Sequence, residues 1–514
     1  MHKVIPVILV ASFSSATIAA ENSTTPDTVV VTATKTERNA DEVPQSVTVV
    51  TKEQIAATPA QTVDELLQAV PGLELTLASS YQLHPTSSFP GMLGTKTGIT
   101  SHVLVMVDGV PINDAYSGFV QWSRIPKENI ERIEVVRGGG ATLWGSYALG
   151  GVVNVITREP STEKLSIDVG AGNYDTYRAD VYGTVLDTDA LKLSLNYGKF
   201  KTGGFDQVVA GSAVPGYPAR PSALYGPTAM DADNLQIVGN YKIDPTLYGL
   251  VRFNYHNNSQ PEFVMKPMTT AQETFSLDFN VNKVLADSSL ITATGFYNKS
   301  RFETNNASNA DAYPPPDYTL TAIGGSFISN KHSADTDDAG ASLTWRGKLN
   351  DLVPELLVGV DARQIKAKEH VDLFDVARDS DGVPIDTSSL FPATTFVDSG
   401  EVKGKQQFTG VFAQFSVFPT AAWEIAPSAR LQHWKNYDGY MFQAPPPSLG
   451  YNWSTGSQRS RTDDDLSWRL STRYAMSSQL AVRAAAYKSF NAPTLDNLYR
   501  TYSAGGWAGY SNPN

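Results

Sequence analysis

The chain has 514 residues, no cysteine and a formal net charge of −12. The absence of cysteine excludes a disulfide framework and any thiolate metal site, and the acidic balance argues against a nucleic-acid surface. Hydrophobic residues make up 41% and aromatics 10%, with 39 Gly and 30 Pro, a turn-rich and strand-rich mixture rather than a helical one.

The first element in chain order is a leader, residues 1–20. Lys3 supplies a positive n-region, Val4 to Ala16 the apolar stretch, and "TIAA" a small-residue cleavage site after Ala20. The apolar stretch is too short to cross a bilayer as a helix. No later run approaches ~18 apolar residues, so no transmembrane helix is expected. Residues 21–34 carry "DTVVVTA" at 27–33. Val29, Val30 and Val31 favour an extended backbone, and nothing around them is apolar enough to bury them.

Residues 35–160 mix helix and strand signals and predict a small α+β domain. Thr51 with Gln54, and Thr62 with Glu65, each place a cap and its reciprocal partner three residues apart at a helix start. Pro71-Gly72 stops the second helix. "SHVLVMVDGVPIN" predicts a buried strand entering an Asp108-Gly109 turn. "ENIERIEVV" and "GGVVNVIT" add a helix-to-strand signal and a further strand.

From Leu165 the texture changes. About thirteen segments of roughly ten residues alternate apolar and polar positions, as in Phe275, Leu277, Phe279 and Val281 against Ser276, Asp278, Asn280 and Asn282. Short links such as "LDTDA" and "KIDPT" alternate with long ones rich in Pro, Gly and Tyr. That asymmetry is expected of a membrane β-barrel with an apolar outside and a polar lumen. A soluble sandwich shares the alternation but not the leader or the uneven loops. The predicted fold class is a membrane β-barrel over 161–514 preceded by an N-terminal α+β domain.

These stretches resemble a known family. "DTVVVTA" resembles a TonB box, "SHVLVMVDGVPIND…WSRIPKENIERIEVVRGGGATLWGSYALGGVVNVITRE" resembles the plug of TonB-dependent outer-membrane receptors, and "YKSFNAPTLDNLYR…NPN" is similar to a late-barrel segment. The resemblance implies a 22-stranded barrel around a plug, which binds a scarce ligand outside and imports it on energy delivered by periplasmic TonB. It implies a monomer in outer-membrane lipid and no catalysis. The implied cargo is a ferric siderophore, with cobalamin (vitamin B12) as the alternative. Haem is less favoured, because the usual FRAP…NPNL pair reads "FNAP" and "NPN" here with no histidine between. A passive porin needs neither box nor plug.

The resemblance assigns residues as well. Asp27, Thr28, Val29, Val30, Val31, Thr32 and Ala33 are expected to pair with TonB by strand addition, with Pro26 limiting the ladder. Arg137 is expected to reach carboxylates of the barrel wall, while Pro90 stands where a second plug arginine is usual. Tyr81, His84, Phe89 and Met92 are placed near the plug apex as ligand contacts. The chain is further expected to be a fragment lacking about nine strands, with an open barrel around a complete plug and its first and last strands unpaired. Asp375, Asp379, Asp381 and Asp386 form an acidic loop that could hold calcium, although the EF-hand spacing is not met. "RGGGATLWGSYALGG" lacks the GK[ST] of a phosphate loop, and no cofactor is implied.

Overall fold

The computed structural model describes residues 35, 38–75, 88–96, 101–158, 165–206, 222–261, 265–309, 325–380, 383–386, 388–441 and 456–499, with the short strands at 8–12, 29–30, 502–504 and 507–509. Among them, two bodies share one lumen.

The inner body is the plug. Its sheet runs Val47–Thr51, Ile130–Arg137, Gly151–Thr157, Val103–Val107 and Val110–Pro111 in spatial order. The Gly151–Thr157 and Val103–Val107 strands are parallel, the other pairings antiparallel. Both faces of the sheet are covered, which is why these strands read as nearly continuous apolar runs. Val103 and Val105 pack on one side with Val63, Leu67, Trp122 and Ile133, while Leu104 and Met106 pack on the other with Val136, Tyr147 and Val152. The predicted Asp108-Gly109 turn forms, with φ of 47° and 82° at its two residues, the left-handed pair that a tight hairpin requires.

The two predicted caps part company. Thr51 accepts the Gln54 N–H and the Gln54 side chain accepts the Thr51 N–H, a complete capping box for helix Lys52–Ala57. Thr62 begins helix Val63–Leu67 without a side-chain cap bond. Glu65 reaches past it to accept from the Gln61 N–H at 2.6 Å, so the box is not closed at Thr62.

The outer body is one antiparallel sheet of fifteen strands. Thirteen of them follow the chain from Leu165–Gly172 to Ala481–Lys488 with nearest-neighbour pairing; Gly456–Ser457 is a short side pairing. Leu165, Ile167, Val169, Leu277, Phe279, Leu466 and Leu470 point outward and exposed, while Ser276, Asp278, Ser467, Arg469 and Ser471 are buried within. A wall that is apolar outside and polar inside is a membrane barrel wall. Turns 188–190, 245–246, 285–289, 348–354, 421–422 and 476–480 are short. On the other rim, links 203–229, 310–325, 377–393 and 442–460 are long. The strands outgrow the ten residues expected, reaching 27 at Thr394–Thr420. Only ~10 residues are needed to cross the bilayer, and the surplus rises as a polar collar on the long-loop side.

The sheet does not close among the described residues. Leu165–Gly172 is an end strand as expected, but the last strand is not unpaired. Ile8–Ser12, within the segment expected to be a leader, lies antiparallel to it, Ile8 opposite Tyr487 and Ser12 opposite Arg483. An edge in lipid has unpaired N–H and C=O groups, and this short β-prone run satisfies them.

Candidate functional site

Three zones of the plug–wall boundary carry the chemistry. The first lies at the mouth where the short turns cluster. Val29–Val30 forms a two-residue antiparallel ladder with Arg38–Asn39, Val30 opposite Arg38. The box strand therefore has a partner within the chain on one edge; Asp27, Thr28, Val31, Thr32 and Ala33 lie outside the described residues. Immediately beyond it, Arg38 grips the wall, with Nη1 and Nη2 donating to the two carboxylate oxygens of Glu424 at 2.7 and 2.9 Å. The bidentate geometry is that of a strong, directional pair.

Lys35 sits a little higher, its Nζ 4.2 Å from the ring centre of plug Trp144 and 4.7 Å from that of wall Phe412. Burial holds its ammonium down to about 8, against the pull of Asp361, with Arg430 adding to the depression. The folded group thus titrates below the unfolded lysine, and the unfolded state binds more protons between about pH 8 and 10.5. Docking of this segment is expected to tighten as pH rises through that window and to be flat below it. Protease protection of residues 29–39 measured from pH 7 to 10.5 checks this; Lys35→Met should remove the slope.

The second zone is the seam between the plug and the strands from Leu191 to Gly347. Its lower end is a charge relay. Plug Asp108 accepts the Thr157 N–H at 2.9 Å and hydroxyl at 2.6 Å, and it pairs with Arg252 of the wall. Arg252, 2% exposed, also donates Nε and Nη2 to Asp278 at 3.1 and 2.9 Å, and Nη2 to the Val107 carbonyl at 3.2 Å. Above it, Asn129 donates to Gln236 and Asn234 to the Ser123 carbonyl. Gln121, Gln272, Thr274 and Asn298 each keep buried side-chain atoms with no hydrogen-bond partner among the described residues. Buried polar groups rarely stay unpaired, so these atoms mark places for ordered water in the seam. Plug Arg124 lies in it, its guanidinium held down to about 10 by burial against the pull of Asp114 and Asp338. Burial pushes the Asp114 carboxyl up, opposed by hydrogen bonds from Ser117 and Tyr116.

The third zone lies under the long loops. After the last wall strand, residues 489–499 turn inward and lie on the plug. Asn491 accepts from the Tyr147 N–H and the Ser146 hydroxyl, the Asp496 N–H donates to the Tyr116 carbonyl, and Gln406 of the wall donates to the Pro493 carbonyl. Leu495, Leu498 and Tyr499 pack with Tyr116, Ile365, Val402, Phe408 and Trp434. Tyr499 fills hollows that exist because Gly404 and Gly439 have no side chain. A Cβ on Gly404 would stand 2.6 Å from the Tyr499 ring, and one on Gly439 2.4 Å. Gly404→Ala is expected to unseat this segment and raise its cleavage by external protease at least tenfold; unchanged cleavage would mean the ring relaxes in place.

The residues expected from sequence fare unevenly. Arg137 does not reach the wall. It donates to the Pro71 carbonyl at 2.7 Å, to Thr48 at 2.7 Å and to Ser46 at 3.5 Å, all within the plug. The plug–wall charge contact is reversed instead: a plug aspartate meets a wall arginine, and Arg38 rather than Arg137 supplies the plug cation. Met92 is fully buried in the plug core, opposite Leu73, and Phe89 is buried too, so neither presents a side chain to a ligand here. Tyr81 and His84 lie outside the described residues, as does Asp381. The other acidic-loop carboxylates are engaged locally: Asp375 with Arg378, Asp379 with the Val383 N–H, Asp386 with Ser388 and Ser389. Among the described residues no three acids or histidines converge on a metal position. Reasoning from sequence passed over Arg38 and Arg252. For Arg252, an arginine on the polar face of a wall strand was the available signal; for Arg38, in the plug segment, there was none.

Comparison with known proteins agrees with this architecture. The family model described as TonB-dependent Receptor Plug Domain matches residues 39–152, and that described as TonB dependent receptor-like, beta-barrel matches residues 176–514. The vitamin B12 transporter BtuB of Vibrio vulnificus (strain CMCP6) is 38% identical over 195 residues, which are 36% of this chain and 30% of that protein. The ferripyoverdine receptor of the Pseudomonas aeruginosa outer membrane superposes with a TM-score of 0.69 at 15% identity, over 94% of this chain and 63% of its own. The alcaligin outer-membrane receptor FauA of Bordetella pertussis gives 0.62 at 14%, over 91% and 66%. The chain thus spans less than two thirds of the length of these relatives. With both family models matched in order, and a plug seated inside an outward-apolar wall, this chain belongs to the TonB-dependent receptor family.

Proposed function

We propose that this chain is the receptor of a TonB-driven importer in the outer membrane, which takes a scarce ligand from outside and releases it into the periplasm. The observation that carries this reading is the box strand Val29–Val30, held at the mouth on the same short segment as Lys35 and Arg38, which join plug to wall. A pull on that strand acts directly on the contacts that seat the plug. TonB is the partner that pulls, by adding a strand to the free edge of the box. Transport rather than catalysis is the work of the fold. The leader directs export; its cleavage after Ala20 releases Ile8–Ser12 and frees the edge of Ala481–Lys488.

A ferric siderophore is the cargo of the first reading, in keeping with the fold shared with the ferripyoverdine and alcaligin receptors. Cobalamin is the second reading, favoured by the 38% identity to a vitamin B12 transporter. Uptake of radiolabelled ferric siderophores and of labelled cyanocobalamin, in cells with and without TonB, decides between them. Uptake of either that persists without TonB would support a passive pore instead, as would a large conductance from the purified protein in planar bilayers.

A further inference from the structure

One wall arginine is buried without a counter-charge. Arg469 lies on the lumen face of Arg461–Ala475 and is 6% exposed. The residues opposite it on the two neighbouring strands are Ser428 and Tyr487, and the adjoining lumen residues of its own strand are Ser467 and Ser471. Nη1 donates to the plug Gly138 carbonyl at 3.3 Å, a neutral acceptor. Nε has no hydrogen-bond partner, and Arg469 forms no ion pair, among the described residues.

The carboxylates of this part of the wall are already engaged. Glu424 holds Arg38 and Asp361 holds Arg430, each through both oxygens. The neighbouring cations deepen the deficit. Arg473 stands opposite Arg483, and Arg483 donates to the backbone carbonyls of Val43 and Asp41. A guanidinium does not give up its proton in a protein, and a buried charge left uncompensated is strongly destabilising.

Arg469 opens on a small cavity between wall and plug. Gln45, Gly139, Gly140 and Thr142 of the plug line it, with Gln414 of the wall. It has room for about one solvent-sized particle. The plug turn comes this close because Gly139 lacks a side chain; a Cβ there would stand 2.6 Å from the Tyr487 ring. Gln45, 1% exposed, leaves its Oε1 unpaired, and a half-turn of that amide brings its NH2 group to the same space. The Thr142 hydroxyl accepts from Ser428 at 3.1 Å, which leaves its own proton to donate. Guanidinium, amide and hydroxyl donors thus border one cavity, and no acid does.

We propose that this cavity binds one small inorganic anion of halide size, held by Arg469 Nε, the Gln45 amide and the Thr142 hydroxyl. The anion supplies the charge that the wall lacks and ties the plug turn at 138–142 to the strand Arg461–Ala475. Water fits the same space but brings no charge, and an organic carboxylate is too large for it. The test follows thermal unfolding of the purified full chain in detergent at constant ionic strength, as sodium gluconate is replaced by sodium chloride or bromide. Both halides are expected to raise the melting temperature saturably, by at least about 3 °C, as a ligand of the folded state alone does. Arg469→Met removes the charge that calls for the anion. It should show no such rise, and in gluconate it should melt no lower than the parent. Lys199→Met, whose ammonium is already held by Asp231 and Asp233, should keep the full rise. No rise in the parent overturns the proposal, as does a rise that survives in Arg469→Met or is lost in Lys199→Met. A lower melting temperature of Arg469→Met in gluconate would show that the arginine is compensated without halide, and the proposal falls. Crystals grown in bromide should carry an anomalous peak within hydrogen-bond distance of Arg469 Nε; no peak there overturns the assignment of the site.

Discussion

Arg252→Ala is expected to destabilise the folded receptor by about 3–5 kcal/mol, the cost of removing one partner from a buried ion pair. The reason is what stays behind. Asp278, with a side chain 4% exposed, and Asp108, 17% exposed, lose the one cation they share, and the Val107 carbonyl loses a donor. Arg252→Met with Asp278→Leu should recover much of the loss, since replacing both charges leaves no uncompensated one on the wall, and Asp108 keeps its bonds from Thr157. Urea unfolding in detergent measures both variants. A loss below about 1 kcal/mol for Arg252→Ala would show that the seam is already wet at this depth and screens the pair. Because the pair joins the hairpin tip to the wall, the same variant should raise solute leakage through the seam.

Val30→Pro is expected to abolish energised uptake while leaving ligand binding at the long-loop face unchanged. Proline removes the Val30 N–H and fixes φ, so the residue no longer contributes a donor to either edge of its strand. The ladder to Arg38–Asn39 is only two residues long, and losing it disturbs nothing in the plug core. Val30→Ala keeps the backbone donor and should lower uptake only modestly. Uptake and equilibrium binding, measured on the same cells, separate the two effects. Normal transport by the proline variant would rule out strand addition as the coupling device.

Much of the architecture was legible in the residues alone. Period-two alternation from Leu165 onward identified thirteen wall strands and their outward faces, because side chains on a strand must point alternately to lipid and to lumen. The Thr51–Gln54 box and the Asp108-Gly109 turn were legible for the same reason: each is closed by atoms within a few residues. The tertiary structure decided everything that depends on register between distant strands. Alternation shows that Arg252 and Glu424 face the lumen but not which plug atom stands at their height, so Asp108 and Arg38 went unassigned as partners and Arg137 was credited with a reach it spends inside the plug. The resemblance placed Met92 near the plug apex, yet its pairing with Leu73 carries it into the core. The inward turn of residues 489–499 rests on two glycines, Gly404 and Gly439, on strands far away in the chain. A sequence records which residues lack a Cβ, but only the folded wall brings those hollows to one side chain.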